Sequence, residues 1–97
     1  MKSGSVVVVE TPRGEILMGV LAKRNDWAGE LSLTGVYRSP RMGITEAATI
    51  PPQAEGDKVP QTPELILKSW AAIAVVAPIV EEWYNRGSHI TGLYPRG

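Results

Sequence analysis

The chain has 97 residues, with ten basic and ten acidic side chains and a formal net charge of zero. This length predicts one domain and not two, and the balanced charge requires any basic binding site to be local. With no cysteine and a single histidine, His89, the sequence excludes disulfides, thiolate zinc sites and a multi-histidine metal site within one chain.

The first 38 residues predict a three-stranded antiparallel meander. Residues 5–10 are short and valine-rich, and residues 15–24 form a longer apolar segment after a Pro-Gly turn. Gly19 lies inside this second strand, where a glycine marks a bend, a bulge or a close approach. A turn at residues 25–29 leads to a third strand at 30–38.

The third strand has the clearest alternation in the chain. Leu31, Leu33 and Tyr37 are predicted to share one face, with Ser32 and Thr34 on the other.

Residues 39–63 contain several prolines and predict a long, exposed connection, in which a strand extension near Gly43–Ile50 is one interpretation.

Two structures fit residues 64–78. Thr62-Pro63-Glu64 has the pattern of a helix start, but Pro78 would interrupt a helix that continued further. The alternative is two short strands, Leu65–Lys68 and Ala72–Val76, separated by a sharp turn.

A short helix is predicted from Pro78 to Arg86. Proline suits the first turn, Glu81 and Glu82 lie near the positive end, and Gly87 suits the stop. One side of this helix would carry Ile79, Val80, Trp83 and Tyr84.

Catalytic and membrane signals are weak. Adjacent carboxylates such as Glu81 and Glu82 diverge on a helix, and there is no phosphate loop of the GxxxxGK[ST] type. We therefore expect no enzyme, no catalytic residue and no cofactor.

The apolar run 70–80 is shorter than the roughly 20 residues of a membrane span, and four valines are too few for a signal-peptide core. The expectation is a cytoplasmic protein without membrane contact.

One stretch, residues 14–33, reads GEILMGVLAKRNDWAGELSL. It resembles the first motif of Sm-like proteins, the family that includes the bacterial Hfq branch. In that motif two glycines five residues apart precede a hydrophobic pair, a turn and an alternating strand, and the glycines permit a sharp bend. Asn25 stands where the motif has Asp, and Gly29 stands where it has the Asn that contacts bases. The family's N-terminal helix also has no room before the first strand.

A second stretch, ILKSWAAIAVVAP, resembles the family's second motif, with Lys68-Ser69 in place of Arg-Gly or Lys-His. The resemblance covers about residues 5–78 and favours strands for 64–78. It implies an all-β fold, a small five-stranded, strongly bent antiparallel barrel. A variable loop at 39–63 would precede the fourth strand, and a C-terminal extension at 79–97 would include the short helix.

The resemblance also implies a homo-oligomeric ring that binds single-stranded RNA at or near its pore. In such rings the fourth strand of one subunit pairs with the fifth strand of the next. An exposed apolar edge at residues 73–76 would be an aggregation hazard in a monomer, and ring closure would cover it.

The RNA-binding residues implied by the resemblance are Arg24, Asp26, Trp27, Lys68 and Ser69. Trp27 falls where the family has a base-stacking side chain, although it could instead pack against the rim of the core. Lys68 would face the pore, or be a solvated turn lysine. Trp70 is expected in the core or at an interface.

A basic set of Lys23, Arg24, Arg38 and Arg41 is either a phosphate-contacting patch or ordinary strand-end charge. Two other functions stay open. One is a structural or adaptor ring without RNA binding. The other is an α+β interaction module in which residues 64–84 form one or two helices.

Overall fold

The computed structural model describes residues 2–39, 43–51 and 64–86, and within them five strands and two helices occur. The strands are β1 (Val6–Glu10), β2 (Ile16–Asn25), β3 (Glu30–Ser39), β4 (Leu65–Leu67) and β5 (Ala72–Val75), and the helices are α1 (Ile44–Thr49) and α2 (Pro78–Arg86). The strands form one antiparallel sheet in the order β4-β3-β2-β1-β5.

This architecture confirms the meander and the C-terminal helix. It also decides between the two structures for residues 64–78. Both β4 and β5 are strands, so the helical alternative is wrong for this segment. The reason is tertiary, because β4 pairs with β3 while β5 pairs with β1, and each gains ladder hydrogen bonds.

β1 is buried on both faces, which explains its continuous run of valines. Val6 and Val8 belong to a core on the side of the helices, and Val7 and Val9 belong to a core on the other side. The helix-side core contains Val6, Val8, Ile16, Met18, Tyr37, Ala47, Ala48, Val76, Val80, Trp83 and Tyr84. The opposite core contains Val7, Val9, Leu17, Leu21, Leu31, Leu33 and Val36.

A bulge in β3 places its side chains on different faces of the sheet from those that the alternation predicts. Leu31 and Leu33 lie in the opposite core, whereas Tyr37 lies in the helix-side core. Met18 pairs with Tyr37 and Val20 pairs with Thr34, so β3 has one extra residue between these pairs. Gly35, with φ of +59°, lies at this bulge. An extra residue moves every later side chain to the other face of the sheet.

Gly19 is the close approach that its position predicts. A β-carbon built on this residue would lie 2.9 Å from the carbonyl oxygen of Thr34, beside the bulge. Any larger residue would therefore push β2 and β3 apart.

Residues 43–50 correct another expectation, because they contain α1 and its two caps and no strand extension. Backbone hydrogen bonds run from Ala47 to Gly43 and from Ile50 to Glu46, each 3.0 Å long. Ala47 and Ala48 are buried in the helix-side core, and alanine has the highest helix propensity. Residues 40–42 and 52–63, which belong to the loop predicted for 39–63, lie outside the described part of the chain.

α2 covers the same face of the sheet. Trp83 makes an edge-to-face contact with Tyr37, with ring centroids 5.4 Å apart. The buried hydroxyl of Tyr84 donates a 2.5 Å hydrogen bond to the carbonyl oxygen of Gly35. Val80 is buried, but Ile79 is 59% exposed, so Ile79 does not share the buried side as predicted. Neither α1 nor α2, the helices found in the described residues, has the length and apolarity to cross a bilayer.

Candidate functional site

The turn between β2 and β3 presents Trp27 to solvent on a defined backbone. The side-chain oxygen of Asn25 accepts hydrogen bonds from the backbone N–H groups of Trp27 and Ala28, at 3.1 and 3.2 Å. This local bonding is typical of asparagine in turns. The Trp27 side chain is fully exposed. Packing against the core rim, the alternative considered for this residue, is therefore not its role within one chain.

Arg24 connects this turn to the turn after β4. Its Nε lies 3.0 Å from a carboxylate oxygen of Asp26, and its guanidinium carbon lies 6.0 Å from the centre of the Trp70 ring. Trp70 is partly buried against the opposite core, as expected for this residue. Arg24 thus has two partners, the carboxylate of Asp26 and the ring of Trp70.

The sheet register places the two turns at one end of the sheet. Arg24 pairs with Leu31, and Leu31 pairs with Leu67, so the end of β2 and the end of β4 lie in one row across three strands. Trp27 follows the first of these ends, and Lys68 follows the second. The five residues proposed from the sequence therefore lie at this common end.

Lys68 and Ser69 also line an open groove of about 540 Å³. Its other walls come from the end of β4 and from the turn between β1 and β2, namely Thr11, Pro12, Arg13, Glu15, Ile66 and Leu67. Sequence reasoning missed Arg13. The only local signal was its position between Pro12 and Gly14, which guarantees an exposed turn and no more.

The basic set suggested by the sequence does not converge. Lys23 and Arg24 lie near the end of β2, whereas Arg38 is level with Leu17, close to the start of β2. Arg38 instead approaches Glu15, with Nε 3.2 Å from a carboxylate oxygen. This contact is an ion pair without hydrogen-bond alignment, since the buried Nε has no hydrogen-bond partner. Arg41 and His89 lie outside the described residues.

The ion pair at the β2–β3 turn gives a first prediction. Asp26→Asn should change the free energy of unfolding by less than about 1 kcal/mol, because exposed pairs contribute little. Asp26 is 80% exposed in its side chain, and its partner Arg24 is 40% exposed. Urea denaturation measures the effect, with Glu30→Gln as the control. A loss above about 3 kcal/mol, the range of a buried pair, would contradict this surface assignment.

The described segments contain no group of three or more side chains able to hold a metal ion. No protein-family model and no curated protein matches the chain.

Proposed function

We propose that this protein is an Sm-like barrel that assembles into a homo-oligomeric ring and binds single-stranded RNA. The observation that carries the RNA part is the common end of the sheet. There, the fully exposed Trp27 and the turn residue Lys68 flank the Arg24–Trp70 contact.

The connection between β4 and β5 supports closure of the sheet into a barrel. These strands are opposite edges of the sheet, and only residues 68–71 join them. In a flat sheet the edges would be about 19 Å apart sideways. The register places Leu67 in the same row as Arg24 and Ala72 in the same row as Ile16. Because these rows are eight residues of β2 apart, a flat sheet would also separate Leu67 from Ala72 by about 26 Å along the strands. Five residue steps span at most about 18 Å, so this short connection favours a coiled sheet over a flat one.

Two irregularities in the β2–β3 ladder support the same curvature. One lies between Met18 and Val20, and the other lies between Leu21 and Lys23. Bulges bend a strand and increase its twist, and they are common where sheets close into barrels. The resemblance to Sm-like proteins predicts a bent second strand at this position.

The free edges support assembly. In the described part of the chain β4 pairs only with β3, and β5 pairs only with β1. Each edge strand also exposes a large apolar side chain, since Ile66 is 50% and Val75 is 48% exposed. Pairing of β4 with β5 of another copy would satisfy the backbone groups of both edges.

The chemistry of the common end suits a single strand of RNA. An exposed indole offers a face for base stacking, which is sequence-tolerant. Lys68 offers a positive charge for phosphate, and repetition around a ring would concentrate a charge that one chain with zero net charge hides.

A structural or adaptor ring is the second candidate. It is favoured by Asp26, which neutralises Arg24 at the same end of the sheet. In that case the ring would form but would not bind RNA.

Assembly is tested by native mass, from light scattering on a sizing column. The wild-type chain should elute as a closed ring, and Val75→Lys should yield smaller species, because a charge on β5 opposes edge pairing. Ile79→Lys is the matched control, since Ile79 is similarly exposed but lies on α2. A monomeric wild type would overturn the ring, and equal disruption by both variants would remove β5 from the interface.

RNA binding is tested by titrating the same samples with labelled oligouridylate and oligoadenylate at several salt concentrations. Phosphate contacts predict an affinity that falls as salt rises, with a slope of about 0.7 per contact on single strands. A ring that ignores both oligonucleotides would favour the adaptor function.

A further inference from the structure

The groove beside Lys68 is built on a defined turn. The backbone N–H of Thr11 donates to the carbonyl oxygen of Glu15, and that of Gly14 donates to the carbonyl oxygen of Thr11, both at 2.9 Å. The N–H of Glu15 also donates to the hydroxyl oxygen of Thr11 at 3.1 Å. These bonds fix the backbone of the turn that carries Arg13.

Within the segments that the structure describes, the lining of the groove is positively charged. The one carboxylate in this lining, Glu15, is paired with Arg38, which leaves the charges of Arg13 and Lys68. Among the residues that the structure describes, neither of these two cations has a carboxylate within ion-pair distance. The groove therefore offers two cations from two different turns to an incoming anion.

The remaining lining matches an oxygen-rich ligand with an apolar part. Thr11 and Ser69 contribute hydroxyl groups that can donate, next to Arg13 and Lys68, which only donate. Ile66 is half exposed and supplies an apolar wall. Phosphate accepts hydrogen bonds on several sides, and arginine binds it in a bidentate manner. The volume also falls in the range of small-molecule sites.

We infer that this groove is a second nucleotide subsite, in which Arg13 and Lys68 hold a phosphate group and Ile66 contacts the attached sugar or base. The inference rests on the proposed RNA binding and extends it, because Lys68 belongs to both places. A strand that stacks one base on Trp27 would continue past Lys68 into the groove.

The test adds uridine monophosphate or uridine to the 97-residue chain and follows the backbone amides by NMR. Uridine monophosphate should shift the amides of Arg13, Gly14, Lys68 and Ser69, and uridine should not. Arg13→Gln should weaken uridine monophosphate binding roughly tenfold, as expected for one charged hydrogen-bonding partner. Lys23→Gln, an exposed cation that does not line the groove, should leave the affinity unchanged.

Several results would overturn the subsite. Equal shifts with uridine would show that phosphate is not recognised, and equal weakening by Lys23→Gln would show only diffuse charge. Shifts confined to residues around Trp27 would leave the proposed RNA site standing and reject the groove. A response to a glutamate-rich peptide without any response to uridine monophosphate would assign the groove to a protein ligand.

Discussion

Gly35→Ala lowers the free energy of unfolding by roughly 3 kcal/mol, the largest stability loss that we expect from a single added methyl group. Two effects combine at this position. Alanine is strained at a φ of +59°, and its β-carbon would collide with the Tyr84 hydroxyl. That hydroxyl cannot easily move, because Tyr84 is fully buried and donates a hydrogen bond to the Gly35 carbonyl oxygen. Urea denaturation monitored by circular dichroism measures the loss.

Gly29→Ala is the matched control for backbone strain. Gly29 has a similar φ of +65°, but a β-carbon added to this residue would meet nothing within 4 Å. Only the strain remains, so the loss should be about 1 kcal/mol. Equal losses in the two variants would show that the contact with α2 contributes nothing.

The contact can also be isolated with Tyr84→Phe. This change removes the hydroxyl that meets the new methyl group, so Gly35→Ala should be less damaging in the Tyr84→Phe background than in the wild type. The difference is the coupling energy of the pair. Additive effects would contradict a direct collision and leave only backbone strain at Gly35.

The three-stranded meander and the C-terminal helix could be predicted because local signals agree there. The valines of β1 are β-branched and bounded by turn residues, and in the sequence Pro78 and Gly87 are start and stop signals for a helix. These signals act over a few residues, so they predict the local structure independently of tertiary contacts.

The wrong predictions fall where tertiary contacts determine the local structure. A glycine within an alternating strand is compatible with a regular strand or a bulge, so the position of Tyr37 could not be derived from periodicity. α1 is only six residues long, and its formation depends on burying Ala47 and Ala48 in the helix-side core. Short helices have little stability of their own.

The candidate site shows the same division. The resemblance to Sm-like proteins pointed to Trp27 and Lys68, and the sheet register brings both to one end. Arg13 was missed because the groove joins residues 11–15 to residues 66–69, which are far apart in sequence. The partnership of Arg24 with Trp70 likewise depends on the packing of the two turns.

Trp27→Ala should weaken binding of oligouridylate roughly 5- to 150-fold, the range for loss of one stacked base. Its stability should change by less than about 0.5 kcal/mol, because the side chain is fully exposed. Fluorescence anisotropy with a short labelled oligonucleotide measures the affinity, and native mass confirms that the oligomer is intact. Loss of affinity with an unchanged fold would show that the Trp27 side chain contacts the RNA and does not stabilise the fold.

Two further substitutions at Trp27 separate stacking from general hydrophobic contact. Trp27→Phe keeps an aromatic face and should retain most of the affinity, whereas Trp27→Leu keeps apolar volume and should bind as weakly as Trp27→Ala. The neighbouring charge behaves differently. Lys68→Ala should reduce the salt slope by about 0.7 for each phosphate that the lysine neutralises, and the Trp27 variants should leave the slope unchanged. Wild-type affinity in Trp27→Ala would overturn base stacking on this residue. A reduced salt slope in that variant would instead show that Trp27 orders the turn and positions the cations around it.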